Sequence, residues 1–416
     1  MKEIWIFQTG EPIPGDNGSP RKMRAYNLAD FFVKKGINVV IWTSRFNHLS
    51  KKHRNRQDTY ESEGIKVKLI DSPGYSNNVS IRRLYDHLVL AFNLWRKLKQ
   101  DSSKPSAVFI GYPPIEWSFI AFRWSNKMGI TSFLDFKDLW PEIFLNAFGG
   151  KFKIILRSIF YPYFVLAKYV LKRTSVLISI SEPCLLWAQN FSGRQNIYSD
   201  QVFPLSSKSA PNPENISLAN KDFIKFICTG SEEAIVISFA GSFMTEVFDF
   251  MPLKKTIDDF RKNKVKIIFY LAGEGAEKDK WQKEFQEYEE VVFLGWINQD
   301  EINYLFSKSD AIIVPFKQRQ DFALSIPNKA VDGFNHGKVI LTSSHGMLSE
   351  FLEKNTAGFY YDIQDNPTLT EVILRIYSDN KLKKTMELNS RKVYEKHFEF
   401  EKNYNNLVEK ILQSTG

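Results

Sequence analysis

The residues best suited by type and spacing to chemistry on an anion lie in a loop and short helical pattern at residues 325–337. Backbone N–H groups at a helix N-terminus bind a diphosphate well, because the positive end of the helix dipole lies behind them. Asp332, one turn further on, can accept hydrogen bonds from a ribose diol. The residues that would surround a diphosphate are Ser325, Ile326, Asn328 and the cationic Lys329. The pattern indicates a nucleotide diphosphate site, and a surface helix with ordinary charges fits it equally.

Several strands and glycine turns precede this segment in a fixed order. A strand predicted at 235–240 ends at Gly241, and one at 265–271 is followed by Gly273, which alone would be an ordinary turn. Further strands are predicted at 291–294, 310–314 and 338–342. Together, in this order and spacing, the motifs resemble the C-terminal domain of retaining glycosyltransferase family 4, over about residues 240–395.

That resemblance implies transfer of a sugar from a nucleotide-diphosphate donor, expected to be UDP-linked, with retention of anomeric configuration. The donor sugar is expected to be a hexose or an N-acetylamino sugar. The acceptor would be lipid-linked or a saccharide, and neither a cofactor nor a metal ion is expected. By the resemblance, Gly241 and Gly273 join the 325–332 segment in donor binding, and Lys329 is a catalytic residue.

The first half resembles the same family more loosely. The loop holding Gly15, Asn17, Gly18 and Arg21 falls where relatives keep small residues near phosphates and acceptor; a plain turn is the alternative. Gly111-Tyr112-Pro113-Pro114 and the Asp138–Glu142 segment resemble a bacterial branch that assembles O-antigen, capsule and other cell-surface sugars, including lipopolysaccharide. Asp138 lies where many relatives carry a histidine near the reacting sugar, so it is the second predicted catalytic residue. Without the family, Asp138 would cap a turn.

Two positions depart from the family pattern. The usual pair of glutamates, eight residues apart, maps onto Leu324 and Asp332, so the first acid is missing and the second is one methylene shorter. The basic pair expected soon after Gly241 is absent from residues 241–246, and Lys254 and Lys255 come late. These departures leave open an altered donor.

The elements that would position these residues alternate between strand and helix in two series. In the first half, strands are predicted at 2–7, 37–43, 65–70, 107–111, 130–135 and 175–180, with a helix beginning after Ser19-Pro20. Such alternation predicts an α/β protein with two Rossmann-like domains whose parallel sheets face a central cleft. The resemblance implies that this is the GT-B architecture. The expected division is an acceptor-side domain at 1–205, a linker at 206–222 and a nucleotide-sugar domain at 223–396, with the C-terminal helix 397–416 completing the first domain.

Charge is unevenly distributed along the chain. Residues 1–200 hold 29 basic and 16 acidic residues (net +13), whereas residues 201–416 hold 27 and 31 (net −4). The segment 151–173 is basic and aromatic without any acid, which is typical of an anionic membrane interface. Lys153, Arg157 and Lys168 are its predicted membrane contacts, and a core helix with a solvated edge is the alternative. We therefore expect a cytoplasmic enzyme, peripheral at the inner face of the plasma membrane.

Two other functions fit parts of the sequence. A nucleotide-sugar epimerase shares the two-domain plan but has no need of a basic acceptor domain. A nucleic-acid-binding protein would explain the basic first half, yet no recognisable module accompanies the charge, so no nucleic-acid partner is expected. The two cysteines, Cys184 and Cys228, have no metal-ligand spacing and fit a reducing compartment.

Overall fold

A computed structural model describes residues 2–16, 22–77, 80–142, 145, 151–195, 197–210, 221–230, 233–244, 247–364 and 367–415. The chain forms two compact units. The first comprises Met1–Phe203 together with Lys402–Gly416, and the second comprises Pro204–Glu401. Most of the predicted linker, residues 211–220, lies outside the described residues.

The first unit is built on an eight-stranded sheet in the order β10-β9-β8-β7-β1-β2-β6-β5. Neighbouring strands are parallel, except that β5 runs antiparallel to β6, and β3 and β4 form a separate hairpin. The strands are β1 Glu3–Phe7, β2 Asn38–Ser44, β3 Phe46–Asn47, β4 Lys52–His53, β5 Thr59–Ser62, β6 Ile65–Ile70, β7 Ala107–Tyr112, β8 Thr131–Phe136, β9 Val176–Ser179 and β10 Gln201–Val202.

The helices of this unit cover both faces of the sheet. They are α1 Arg24–Lys34, α2 Ile81–Gln100, α3 Ile115–Lys127, α4 Lys151–Ile159, α5 Tyr161–Arg173 and α6 Glu182–Ser192. The chain moves in one direction across the sheet through α1 and in the other through α2, α3 and α5. Because such crossovers are right-handed, α1 lies on one face and the other three on the opposite face. On that face, α3 packs against both α2 and α5.

Helix α1 begins later than the sequence predicts. Its N-cap is Met23, which makes no side-chain capping bond, so the expected cap at Ser19-Pro20 is wrong; those two residues lie outside the described chain. The Glu11 carboxylate, from the loop after β1, accepts a hydrogen bond from the Ala25 N–H at 2.9 Å. This distant cap satisfies a first-turn donor that sequence-local reasoning assigns to serine.

The second unit contains a wholly parallel six-stranded sheet in the order β13-β12-β11-β14-β15-β16. Its strands are β11 Ile235–Ala240, β12 Ile267–Ala272, β13 Val291–Gly295, β14 Ala311–Val314, β15 Val339–Thr342 and β16 Gly358–Tyr360. Its helices are α7 Lys221–Gly230, α8 Pro252–Lys262, α9 Lys278–Glu284, α10 Gln299–Lys308, α11 Gln320–Ala323, α12 Asn328–Asn335, α13 Met347–Asn355, α14 Leu369–Ser378 and α15 Asn380–Val393, followed by a π-helical turn at Tyr394–Phe398. The two sheets, one largely and one wholly parallel and both covered by helices, confirm the predicted α/β class.

The last helix, α16 (Phe400–Gln413), packs into the first unit. The Tyr404 ring stacks on Phe31 of α1 with centroids 5.1 Å apart, and Ile411 is fully buried. Lys2 donates a hydrogen bond to the Thr415 hydroxyl at 3.0 Å. The C-terminus is thereby fastened to the strand at which the chain begins.

Candidate functional site

The second sheet has a topological switch point between β11 and β14. These strands are neighbours, but from β11 the chain continues to one side of the sheet and from β14 to the other. Open α/β sheets bind ligands outside the carboxyl ends of the strands at such a point, because the connecting loops diverge there. Gly241 follows β11 directly, and α12 begins after the loop that follows β14. The predicted site residues therefore converge on one edge of the sheet.

A Cβ added at either of two glycine turns would meet a close neighbour. A Cβ on Gly273, where φ is +137°, would lie 2.0 Å from the carbonyl oxygen of Gly241. A Cβ on Gly241 would lie 2.2 Å from Cε and 2.5 Å from Nζ of Lys329. The two turns thus contact each other, and the lysine side chain passes directly over one of them.

Lys329 presents a desolvated cation at this edge. Its Nζ lies 4.8 Å from the ring centroid of Phe248 and 5.4 Å from that of Phe239. Burial of the ammonium group lowers the pKa of Lys329 to about 8, and the Asp332 charge opposes this shift only in part. Among the described residues, no carboxylate lies within salt-bridge distance of Nζ. An anionic ligand would supply the missing countercharge.

The N-terminus of α12 adjoins this lysine. Its N-cap is Pro327, which has no side-chain acceptor for the first-turn N–H groups. Ile326 is buried, Ser325 is half-buried and Asn328 is exposed, so the predicted diphosphate loop combines an apolar anchor with accessible polar residues. The helix is held by its buried face, where Gly333 lies against Ile340 of β15.

Asp332 lies one turn after Lys329 and is half-buried. Its charge acts on the Lys329 ammonium group, so both side chains belong to the same edge. The backbone carbonyl of Asp332 faces His336 Nδ1 at 2.7 Å, and burial lowers the pKa of this histidine. Lys329, Asp332, Gly241 and Gly273 are thus brought together, as the predicted donor site requires.

The loop before α12 is held by residues that the sequence analysis did not select. Ser343 Oγ donates to the Phe316 carbonyl at 2.8 Å, linking the ends of β14 and β15, and Gln318 donates to the Ser343 carbonyl. A Cβ on Gly346 would lie 2.5 Å from the Ala323 carbonyl oxygen. This contact holds the backbone next to Leu324, which is half-buried. The run of mostly small residues at 342–346 is the sequence feature that could have indicated this packing.

In the first unit, two predicted residues lie at the carboxyl edge of the sheet. Gly15 is in the turn after β1, with φ +84°, and its carbonyl accepts a hydrogen bond from Arg56. Asp138 is exposed two residues after β8, and its carbonyl accepts from the Trp140 N–H at 2.7 Å. Asn17, Gly18 and Arg21 lie outside the described residues.

A buried ionic network, missed at the sequence level, joins the loops that follow β1 and β8. Lys137 donates to Glu11 at 2.7 Å, and Arg24 donates to both Asp135 oxygens at 2.9 Å. Burial alone would lower the pKa of Lys137, but Glu11 and Asp135 together raise it. The network fixes the residue that precedes Asp138. The residues of this network lie far apart in the sequence, so no local motif indicates it.

The predicted membrane residues lie on α4 and α5. Arg157 and Lys168 are exposed, whereas the side chain of Lys153 lies outside the described part of the chain. Within the described chain, no helix is long and apolar enough to cross a membrane. The described residues likewise include no group of three or more His, Cys, Asp or Glu side chains placed to hold a metal ion.

Comparison with known proteins places this edge in a family context. Residues 234–379 match the family described as glycosyl transferases group 1. No curated protein matches the chain in sequence. Among solved structures, sucrose-phosphate synthase from Thermosynechococcus elongatus aligns with a TM-score of 0.71 at 13% identity, covering 99% of each chain. HepE from Anabaena, solved in complex with UDP, aligns with a TM-score of 0.62 at 13% identity, covering 99% of this chain and 100% of its own.

A third similar structure is WaaG, described as a glycosyltransferase involved in lipopolysaccharide biosynthesis. Its TM-score is 0.65 at 12% identity, with 98% of this chain and 99% of WaaG covered. These likenesses over nearly the whole length confirm the predicted GT-B fold. The chain therefore has the GT-B fold, and the part of its second unit that matches glycosyl transferases group 1 includes the site around Lys329.

Proposed function

We propose that this protein is a retaining glycosyltransferase of family 4 that moves a sugar from a UDP-linked donor to a lipid-linked or saccharide acceptor. The observation that carries the proposal is the desolvated ammonium group of Lys329, packed over Gly241 at the switch point of the second sheet. A nucleoside diphosphate suits this place because it is anionic and carries a ribose diol for Asp332. HepE, a structural neighbour, was solved with UDP and with UDP-glucose.

The proposed chemistry needs stabilisation of negative charge more than a base. Charge builds on the diphosphate as the glycosidic bond breaks, and the N-terminus of α12 with Lys329 would stabilise it without reorganisation. The departing phosphate would take the acceptor proton, so no dedicated base is required. Asp138, at the carboxyl edge of the first sheet, is proposed to lie beside the reacting sugar. No metal ion or cofactor enters this scheme.

We also propose a cellular setting. WaaG, another neighbour, is involved in lipopolysaccharide biosynthesis, and the basic first half suits an anionic surface. The protein would act in cell-surface polysaccharide synthesis, including O-antigen or capsule, at the cytoplasmic face of the plasma membrane. Arg157 and Lys168 are exposed, as membrane contacts must be.

A screen of UDP-, GDP- and dTDP-sugars for thermal stabilisation tests the donor. A ligand at a hundred times its Kd stabilises the folded protein by about 2.7 kcal/mol, which shifts the melting temperature measurably. We expect stabilisation by a UDP-sugar and its loss in Lys329→Ala. Product analysis without acceptor separates the enzyme classes, since an epimerase would convert the donor alone. Stabilisation by none of the three donor classes would remove the donor assignment.

A further inference from the structure

Helix α2 carries an exposed apolar stripe that the proposed function does not use. The stripe residues recur at intervals of four and three, so they line one face over about 21 Å. Their exposed fractions range from 40% to 86%, far above those of core residues. The stripe consists of Ile81, Tyr85, Leu88, Phe92 and Trp95.

The opposite face of α2 fixes the direction in which the stripe points. Leu90, Leu94 and Leu98 are buried against the unit. The buried Asp86 carboxylate accepts a hydrogen bond from the Gly74 N–H at 2.6 Å. The helix cannot turn its stripe inward without exposing these leucines and breaking this bond. A contiguous apolar face held outward in this way marks a contact surface.

A buried polar cluster holds α2 beside its neighbours on the same face of the sheet. Tyr163 of α5 donates to Glu116 of α3 at 2.6 Å, and His87 of α2 lies 3.9 Å from the other oxygen of Glu116. The three helices therefore present their outer sides together. Helix α4, which contacts α5, exposes Ile154 and Ile159 among the basic residues of 151–173.

The charges that α2 itself carries are almost all positive, although Lys97 is paired with Asp58 at 3.2 Å. Between residues 81 and 100 the one acid is the buried Asp86, against five arginines and lysines. Lys99 Nζ lies 3.8 Å from the Trp95 ring, and the rings of Phe92 and Trp95 lie 5.7 Å apart. Aromatic residues beside basic ones are typical of helices that lie in the headgroup region of a bilayer.

We propose that the exposed stripe of α2 docks on an anionic lipid bilayer, with the helix axis in the plane of the interface. Self-association is the main competing occupant, because the spacing is that of a coiled coil. In a pair of α2 helices, however, Arg82 and Arg96 flank the seam and would meet no exposed acidic residue of the other α2. Anionic headgroups complement the same arginines.

Docking in this orientation has a consequence for the acceptor. The Arg83 guanidinium, near the amino end of α2, lies 5.2 Å from the ring centroid of Trp140, two residues beyond Asp138. The bilayer-facing helix thus leads to the edge of the first sheet where the reaction is proposed to occur. An acceptor anchored in lipid would reach that edge directly. This consequence rests on the proposed function, whereas the docking itself does not.

Flotation with vesicles tests docking without donor or acceptor, so its outcome is independent of catalysis. The purified full chain is mixed with vesicles of phosphatidylcholine and phosphatidylglycerol, or of phosphatidylcholine alone. We expect binding to the mixed vesicles and a fall of about 100-fold in partitioning for Leu88→Ser with Phe92→Ser, since each buried side chain contributes about a tenfold factor. The matched control is Tyr377→Ser with Leu388→Ser, which removes equally exposed residues (59% and 64%) from the second unit and should bind normally.

A second readout identifies the face that touches lipid. Quenching of tryptophan fluorescence by brominated lipid should fall in Trp95→Phe relative to wild type, because Trp95 lies in the stripe. A further variant, Arg157→Glu with Lys168→Glu, tests the α4–α5 surface separately. Undiminished flotation of the Leu88/Phe92 variant would overturn the proposal. The proposal would also be overturned if neither wild type nor this variant bound vesicles and the wild type were a dimer that the variant converted to a monomer. Helix α2 would then be the contact between copies of the chain.

Discussion

Lys329 carries a positive charge that the surrounding protein groups stabilise only weakly. Its ammonium group lies over two phenylalanine rings and a glycine turn, and its pKa of about 8 records the cost of burying the charge. The cost of burying this positive charge is offset when an anionic ligand binds beside it. A lysine that the protein stabilises only weakly is therefore suited to strong stabilisation by such a ligand. Removing the charge of Lys329 should therefore raise the stability of the protein and lower its affinity for the donor.

Lys329→Met should raise the free energy of unfolding at pH 7 by up to about 3 kcal/mol, because lowering a pKa by one corresponds to about 1.4 kcal/mol. Wild-type stability should rise with pH between about 8 and 10.5, since the unfolded chain binds the extra proton in that window, and the variant should lack this rise. Denaturant unfolding across pH measures both effects. Donor affinity should fall in the same variant, whereas Lys338→Met, at a half-buried lysine bound to the Ser307 carbonyl, should leave it unchanged. A destabilised Lys329→Met protein would contradict this account.

Asp332 is the predicted partner of the ribose hydroxyls. Hydrogen bonds to a charged group contribute about 1.5–3 kcal/mol, so Asp332→Ala should raise the donor's Kd by about 10- to 100-fold. Asp332→Glu should be tolerated, because the longer acid is usual in the retaining family 4 pattern that this segment resembles. Titration calorimetry with a 2′,3′-dideoxy nucleotide is the control, since wild type and Asp332→Ala should bind it almost equally. If the variant still discriminates the ribose hydroxyls as wild type does, another group binds them.

Asp138 offers an exposed carboxylate immediately after the buried ionic network of Lys137. Asp138→Asn keeps the size of the side chain and removes its charge. We expect turnover to fall by about 100-fold or more, the usual effect of losing one group that acts in the transition state, with donor Kd little changed. Steady-state kinetics and thermal melting are measured on the same preparation. A lower melting temperature with unchanged turnover would show that Asp138 only caps a turn.

At the scale of elements, the two glycine turns of the second sheet have different tolerances. A Cβ on Gly273 meets backbone and requires a positive φ, so Gly273→Ala should destabilise the fold by about 1–3 kcal/mol or more. A Cβ on Gly241 meets only the far end of Lys329, which can move aside. Gly241→Ala should therefore fold normally and bind donor weakly. Equal unfolding midpoints for the two variants would show that the turns are not packed as described.

The strands were predictable because buried parallel strands are continuous apolar runs. The run at 235–240 coincides with β11, and that at 65–70 with β6. Features made by distant residues were not predictable. The cap of α1 comes from Glu11, fourteen residues before the N–H that it accepts from, and the Lys137–Glu11 pair spans most of the first unit. No local pattern encodes such contacts.

Helix α2 shows a different limit. Its sequence is apolar on more than one face, with Leu90 and Leu94 at helical spacing on one side and Leu88 and Phe92 on another. Periodicity shows that both stripes exist and leaves open which of them the core takes. The choice is made by the position of α3 and by the hydrogen bond between Asp86 and Gly74.

At the scale of the whole molecule, the two units differ in net charge and in the segments of the chain that form them. The basic excess lies in residues 1–200, which form most of the first unit, while the match to glycosyl transferases group 1 lies in the second. The chain crosses from one unit to the next after Phe203 and returns at Lys402. The first unit therefore depends on both ends of the chain, and the second lies within one uninterrupted segment.

This division predicts separable effects of two matched core substitutions. Ile411 of α16 is fully buried in the first unit and Ile373 of α14 is 1% exposed in the second, so each truncation to alanine should cost about 2–5 kcal/mol. If each unit has its own core, Ile411→Ala should speed amide hydrogen exchange in β1 and α1 while leaving UDP binding intact. Ile373→Ala should speed exchange in β11 and β14, and should weaken UDP binding when the second unit is partly unfolded. Exchange that rises equally in both units for either variant would show that they unfold as one, because the loss would then be shared through the whole molecule.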